Sequence, residues 1–413
     1  MANKGIREIA ARILAELWDK NCSLEQLRLA VGTSAPTLQR ELHKLQKAEL
    51  VSIVGCKPPV GGRPAILYGM DCARYLSFGI HIELPEVYIS ATDLCGIAHY
   101  REYREVNDVK LPDQLIPVVT SLLSELRSKF YDRKILGVGV ALPGYIDRES
   151  GTILSIAREP GWENVQIKHR IESATDLNVM IENDINCMAS TEIYRSKLEA
   201  NGDFAYVGLI EGVKASIFLN CQVYEGPFGN AGHLGHIPIV SPGDQCHCGN
   251  VGCLETVASV HGVCDTYDRT AECQDPRGWS QKIMQASEPL DKFELILKAA
   301  DNGYERAQET VTAMIDGLAV SLVSLVSIVQ PKLLILGGAL TLMTSNLRSK
   351  LESKFRNHLL PILSNNLAVR WAQFAEPGSA AIGASLLFSK MFLTRSDSIE
   401  ALLRNDSIEY GEV

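Results

Sequence analysis

The densest chemistry in the chain lies at 228–256, FGNAGHLGHIPIVSPGDQCHCGNVGCLET. His236, Cys246, Cys248 and Cys253 put one imidazole and three thiols within eighteen residues. Soft and borderline donors at that spacing suit tetrahedral Zn²⁺. Gly243, Gly249 and Gly252 let the backbone wrap a small ion. Three thiolates so close repel one another without a cation; the plainer alternative is a reduced, metal-free thiol cluster. Four protein ligands leave no open position, so such a zinc is structural and not catalytic. His247, between two ligands, is expected to point its side chain away from them. His233 competes as a ligand only if the local helix is distorted.

Composition bounds the class. A chain of 413 residues is too long for one ordinary core and implies two or three domains. Hydrophobic residues at 46% and charged residues at 22% fit a soluble globular protein. No run of 18 apolar residues occurs, so no membrane span is expected. The N-terminus MANKGIREIAARILAELW has neither h-region nor cleavage site. A cytoplasmic protein is expected. Cys22, Cys72, Cys95 and Cys187 stand singly in apolar segments and read as buried, reduced thiols.

The net charge of −9 is unevenly spread: residues 1–70 carry +4 and the remainder −13. A basic head on an acidic body points to nucleic-acid binding through the head. Within it, IREIAARILAELW places Ile6, Ile9, Ile13, Leu14 and Leu17 on one helical face. Ser23 caps a second helix with Gln26 at the capping-box position, and Gly32 ends it. Ser34 caps a third helix with Leu38, Leu42 and Leu45 facing inward. Two strands, LVSIVG and AILYGMD, follow, joined by CKPPVGGRP. The pattern is a winged helix-turn-helix. Thr33, Ser34, Thr37, Gln39 and Arg40 would then face bases and phosphates in a major groove, with Arg63 in the wing. A small helical protein-interaction module is the alternative.

From residue 76 the rhythm becomes strand, strand, strand, helix, with a helix near 113–129 and a strand at ILGVGVALPG. VMIENDIN reads as a buried strand with a polar end, and FAYVGLIEGVKASIFLNCQVYEG as two or three strands. Two βββαβα halves describe a two-lobed ribonuclease H-like α/β body, of the actin and sugar kinase type.

Here a resemblance becomes specific. GGRP, GVGVALPGYID at 137–147, PGWENV, ENDIN, GNAGHLGH…CHCGNVGCLETVAS, QPKLLILGGAL and GSAAIGASLL together resemble the ROK family of repressors, open reading frames and kinases. The branch they fit has an N-terminal winged helix and includes the Mlc- and NagC-type repressors. The resemblance spans nearly the whole chain, and the cysteine motif is its most specific part. It implies that His236, Cys246, Cys248 and Cys253 hold a structural zinc.

It also implies a sugar site with ligands Gly144, Asn183, Asp184, His233, His236 and Glu255. In the family's kinases the aspartate of the Asn-Asp pair is the general base. A glutamate normally occupies the position of His233, and imidazole reads a different hydroxyl pattern. The family's two ATP-phosphate turns do not match. The first carries His81, Glu83, Leu84 and Pro85 where Asp and Gly-Gly-Thr are usual. The second carries Glu211, Lys214 and Ala215. Carboxylates repel phosphate and proline removes a donor, so no enzyme activity is expected. Gly337-Gly338 remains, as any tight turn after a buried strand would keep it.

The expected order is a winged helix at 1–72, a first lobe at 73–190 with C-terminal helices returning to it, a second lobe at 191–395 bearing the zinc motif and oligomerisation surface, and a tail at 396–413. The apolar segment 310–329 belongs in a core or subunit interface. The expected function is a DNA-binding regulator of carbohydrate genes. It would act on a double-stranded operator as a homodimer or homotetramer, under a sugar, sugar phosphate or sugar-transport protein. The alternatives are a sugar kinase with a DNA-binding head and a regulator with a vestigial pocket under a protein partner.

Overall fold

The computed structural model describes residues 2–57, 64–156, 159–196, 203–210, 212–220, 222–227, 229–275 and 277–409, with side chains over 8–404. It divides into two compact units, residues 1–199 with 377–413 and residues 200–376.

The first unit begins with helices Ala2–Asp19, Leu24–Val31 and Ala35–Lys47. A three-stranded antiparallel sheet accompanies them, with Ala65–Met70 between Cys22–Ser23 and Val51–Lys57. Local chemistry sets these boundaries. The Ser23 hydroxyl accepts from Gln26 N–H at 3.4 Å, while Gln26 Oε1 accepts from Ser23 N–H at 2.9 Å. Gly32 turns left-handed at φ +69° to end that helix. Ser34 caps the next by accepting from Thr37 N–H. Ile13, Leu14, Leu17, Leu27, Leu38, Leu42 and Leu45 are buried at helical spacing. Arg63 and the glycines before it lie outside the described residues.

A five-stranded sheet follows, in the order Val179–Asn183, Lys134–Leu142, Tyr75–Glu83, Glu86–Asp93, Ala98–Glu105. Its first three strands pair in parallel and its last three antiparallel. The helix Ser379–Thr394 packs on this sheet. A Cβ at Gly79 would stand 1.8 Å from the Ala381 carbonyl, and one at Gly139 2.0 Å from that of Ala384. Only glycine admits the helix backbone so close. This C-terminal helix belongs to the first unit, with the strands of residues 73–190. The segment expected as a tail is helical over Ser396–Glu409 and packs on the first helix.

The head shares its core with the rest of the unit. Its leucines cluster with Tyr75, Leu136, Met180, Phe388, Leu393 and Ile399. The Tyr75 hydroxyl donates to the Ala48 carbonyl at 2.8 Å. Trp18 stands edge-on to Tyr194 at 5.9 Å, and Lys390 donates to Asp19 at 3.1 Å. The cysteine expectation needs one correction: Cys72 and Cys95 are joined in a disulfide. Sheet pairing brings their segments together although 23 residues separate them in sequence. Cys22 and Cys187 are buried free thiols.

The second unit holds a five-stranded sheet in the order Gln222–Val223, Val213–Leu219, Phe204–Leu209, Leu333–Gly338, Ala368–Trp371. Here too, antiparallel strands give way to parallel ones. The expected apolar helix spans Glu305–Val329. By length and composition it could cross a membrane, but 56% of its apolar window is buried inside the structure. Val311, Met314, Leu318 and Leu322 lie in the unit's core.

Candidate functional site

In the second unit, His236 ends the short turn Leu234–His236, and the chain returns through a tight hairpin to Cys253. Ile239 and Val240 N–H both donate to the Gly252 carbonyl, and Leu254 N–H to that of Ile237. Gly252, at φ +76°, would place a Cβ 2.0 Å from the Val240 carbonyl oxygen, so the hairpin closes only with glycine there. This folding brings donor atoms of His236, Cys246, Cys248 and Cys253 within 4.8 Å of one another. Cys248 and Cys253 sulfurs are 3.7 Å apart, and Cys246 Sγ is 3.8 Å from His236 Nδ1. A tetrahedral zinc with ordinary bond lengths needs sulfurs about 3.8 Å apart. The donor set and its spacing therefore fit that ion.

The thiols are not equivalent. Burial pushes Cys253 up to about 12, with the neighbouring thiols adding to it. Burial also raises Cys246. The backbone N–H of Asn250 holds exposed Cys248 below the ordinary thiol value.

His247 does not point away as expected. Its Nδ1 lies 3.8 Å from Cys246 Sγ and 3.7 Å from Glu255 Oε2, and its ring meets His236 edge-on at 5.2 Å. A residue between two ligands can face the same side because the hairpin turns there instead of running extended. His236, Cys246, His247 and Glu255 form a second set of donors within 4.8 Å. His233 stacks beside His236 at 6.0 Å, outside both sets.

Glu255 opens the helix Glu255–Ala258 and is buried. Glycines make room for it. A Cβ at Gly212 would lie 2.1 Å from Glu255 Oε1, and one at Gly235 2.5 Å from Glu255 Cγ. Gly212 follows Glu211, which lies outside the described residues. Gly235→Ala is expected to displace the carboxylate and destabilise the fold by about 1–3 kcal/mol, read as a lower thermal midpoint. An unchanged midpoint would show that Glu255 is not tightly cradled.

Gly144, Asn183 and Asp184 lie in the first unit. Asn183 ends a strand and Asp184 begins the helix Asp184–Arg195. Asn183 Nδ2 donates to the Gly144 carbonyl at 3.0 Å, so Gly144 presents its oxygen to Asn183. The Asn183 Oδ1 is buried without a hydrogen bond. The Asp184 carboxylate accepts from Ile185 N–H at 2.7 Å and is buried. Glu182, fully buried beside them, pairs with Arg148 and accepts from Asn186 and from the Asn183 backbone. Sequence reasoning missed Arg148, which lies far from the pair in sequence.

On the head, Pro36, Gln39, Arg40, His43, Lys44 and Lys47 form the exposed face of the helix Ala35–Lys47. Arg40 and Lys44 both pair with buried Glu41, at 3.3 and 3.0 Å. His43, Lys44 and Lys47 were absent from the sequence-based set, although their i+3, i+4 and i+7 spacing from Arg40 announces a shared face. Ser34 and Thr37 engage each other at 2.9 Å and spend their polar groups on the cap. Thr33 is half-buried and precedes the cap.

Fold and site together define a class: a two-unit α/β protein with matched five-stranded sheets, a His-Cys-Cys-Cys loop and an N-terminal helical head. The ROK family model matches residues 79–391, and the chain belongs to that family. It is 25% identical over 324 residues to the xylose repressor of Caldicellulosiruptor bescii, covering 78% of this chain and 80% of that one. It is 24% identical to the DNA-binding transcriptional dual regulator NagC of Escherichia coli over 94% of each chain. Among solved structures, a ROK family transcriptional regulator, a homologue of the E. coli Mlc protein, superposes with a TM-score of 0.77 at 22% identity. It covers 97% of this chain and all of its own. A ROK glucokinase from Streptomyces griseus gives a TM-score of 0.63 at 21% identity over 76% of this chain and 98% of its own. These last two likenesses speak to fold alone.

Proposed function

We propose that the chain is a DNA-binding transcriptional regulator of carbohydrate genes, with its N-terminal segment acting as a winged helix-turn-helix. The observation that carries this is the exposed face of the helix Ala35–Lys47. Arg40, His43, Lys44 and Lys47 project from it while the opposite face is fully committed to the core. Such a helix offers guanidinium and ammonium donors to base edges and phosphates. Relatives named as a xylose repressor and a DNA-binding regulator support the same reading. The protein would act in the cytoplasm as a homodimer or homotetramer, one head per operator half-site. Arg63 would extend the contact from the wing.

The effector would be a sugar or sugar phosphate, or else a sugar-transport protein; the proposed hydroxyl ligands are Gly144, Asn183 and Asp184 of the first unit and His233, His236 and Glu255 of the second, each unit's set taken by itself. The unsatisfied Asn183 Oδ1 supports a polar ligand on the first unit. Kinase activity is not proposed. Glu83, Leu84 and Pro85 stand at the hairpin between strands Tyr75–Glu83 and Glu86–Asp93, with Glu86 beside them. Carboxylates and a proline make a poor phosphate cradle. Zn²⁺ on His236, Cys246, Cys248 and Cys253 would hold the hairpin that leads into Glu255, a structural role.

The helix Asp184–Arg195 gives the effector a route to the head. It begins at Asn183-Asp184 and ends with Tyr194 against Trp18 of the first helix. Coupling between two sites is worth about 1–3 kcal/mol in typical regulators. Trp18→Ala is expected to leave sugar affinity within about twofold and abolish most of that coupling. Calorimetry with hexoses and amino sugars, beside DNA-binding titrations with and without the sugar that binds, checks it. Full retention of the sugar response would exclude this route. The function itself is tested by sequencing genomic fragments retained by the purified chain, beside a coupled ATP assay over the same sugars. Turnover without sequence-selective DNA retention would favour the kinase.

A further inference from the structure

The disulfide between Cys72 and Cys95 sits where the head meets the main sheet of the first unit. Cys72 lies on the connection 71–74 between strands Ala65–Met70 and Tyr75–Glu83, the covalent exit from the head. Cys95 lies on the turn between strands Glu86–Asp93 and Ala98–Glu105. Their Cα atoms are 5.6 Å apart, inside the usual disulfide range of about 4.4–6.8 Å.

Both segments are held in place by other contacts. Asp93 Oδ1 accepts from Cys95 and Ile97 N–H at 2.9 Å each. Leu94 is buried in the core shared with the head. On the other side, Asp71 N–H donates to the Leu50 carbonyl, Lys134 N–H to that of Arg74, and Arg133 to that of Ala73. The pair is therefore brought together by the fold, with or without the bond. Cys95 is exposed and Cys72 half-buried, so solutes reach the bond.

We propose that Cys72 and Cys95 are a reversible thiol–disulfide modification site that fastens the exit of the head to the main sheet. A disulfide with one exposed partner, Cys95, is open to thiol exchange, unlike a fully buried structural disulfide. In a reducing compartment it rests open and closes on oxidation; that part alone rests on the function proposed above. Glutathione disulfide suffices as oxidant. The exposed Cys95 thiolate attacks one of its sulfurs, forming a mixed disulfide and releasing one glutathione thiolate. The Cys72 thiolate then attacks Cys95 Sγ and displaces the second. Two protein thiols are oxidised, one glutathione disulfide is reduced to two glutathiones, and the two thiol protons pass to the released thiolates.

The test uses the full chain, first reduced with glutathione and then exposed to glutathione disulfide. Thiol titration in guanidinium is expected to fall by two from the eleven cysteines of the chain. Non-reducing peptide mapping is expected to find Cys72 linked to Cys95, and excess glutathione to restore both thiols. Cys72→Ser should stop at the mixed disulfide on Cys95. Amide exchange over 71–75 should slow at least tenfold in the oxidised protein. All eleven thiols persisting, oxidation confined to Cys246, Cys248 and Cys253, or a bond that glutathione does not reopen would overturn the site. Unchanged exchange at 71–75 would overturn the fastening. Because none of these readouts involves DNA, failure here is distinct from failure of the regulator reading.

Discussion

Cys253→Ser is expected to abolish stoichiometric zinc and to cost the second unit several kcal/mol of stability. Structural zinc contributes on the order of 10 kcal/mol in small zinc modules, and part of that is recovered here because the hairpin also rests on backbone bonds from Ile239, Val240 and Leu254. Cys253 is fully buried and its thiol is pushed up to about 12. It is the donor least able to find water as a substitute partner. The damage should reach Glu255, two residues on, whose carboxylate sits against Gly212 and Gly235. Metal analysis and thermal unfolding of the variant check both effects. Cys248→Ser is the milder companion, since Cys248 is exposed. A wild-type chain that holds no zinc after purification without chelators, and unfolds unchanged in Cys253→Ser, would remove the metal from the account.

Arg40→Ala is expected to weaken specific DNA binding by about 1–3 kcal/mol, roughly five- to 150-fold, and to relax specificity at one base position. The fold should survive, because Lys44 still pairs with buried Glu41 at 3.0 Å. Lys47→Ala should behave differently. It should weaken binding to all sequences alike and lower the salt slope by about one. Anisotropy titrations over a range of salt concentrations separate the two. Equal losses on specific and random DNA for Arg40→Ala would place that side chain on phosphate.

What the sequence revealed was what local chemistry controls. Ser23 with Gln26, Gly32 and Ser34 bound their helices because capping bonds span three or four residues. The His236–Cys253 cluster was legible for the same reason. His247 was not, because its direction depends on how the hairpin turns between Cys246 and Cys248. Nor was the pairing of Cys72 with Cys95, which requires neighbouring strands to bring a linker and a turn together. Neither Gly79 in SFGIH nor Gly139 in GVGV gave a hint that the Ala381 and Ala384 carbonyls would lie on the sheet at those positions. Trp18 read only as the end of an amphipathic helix; its contact with Tyr194 joins segments 176 residues apart. Arg148 and Glu182 meet by tertiary folding alone.

The central claim is that this chain reads DNA sequence through the helix Ala35–Lys47. It is tested most directly by footprinting the purified protein on the genomic fragments it retains. The account predicts a protected two-fold-related site whose protection fades in Arg40→Ala, with half-sites centred about 10 bp, or a multiple of one helical turn, apart. Retention that is sequence-indifferent, or a footprint that Arg40→Ala leaves untouched, would contradict it.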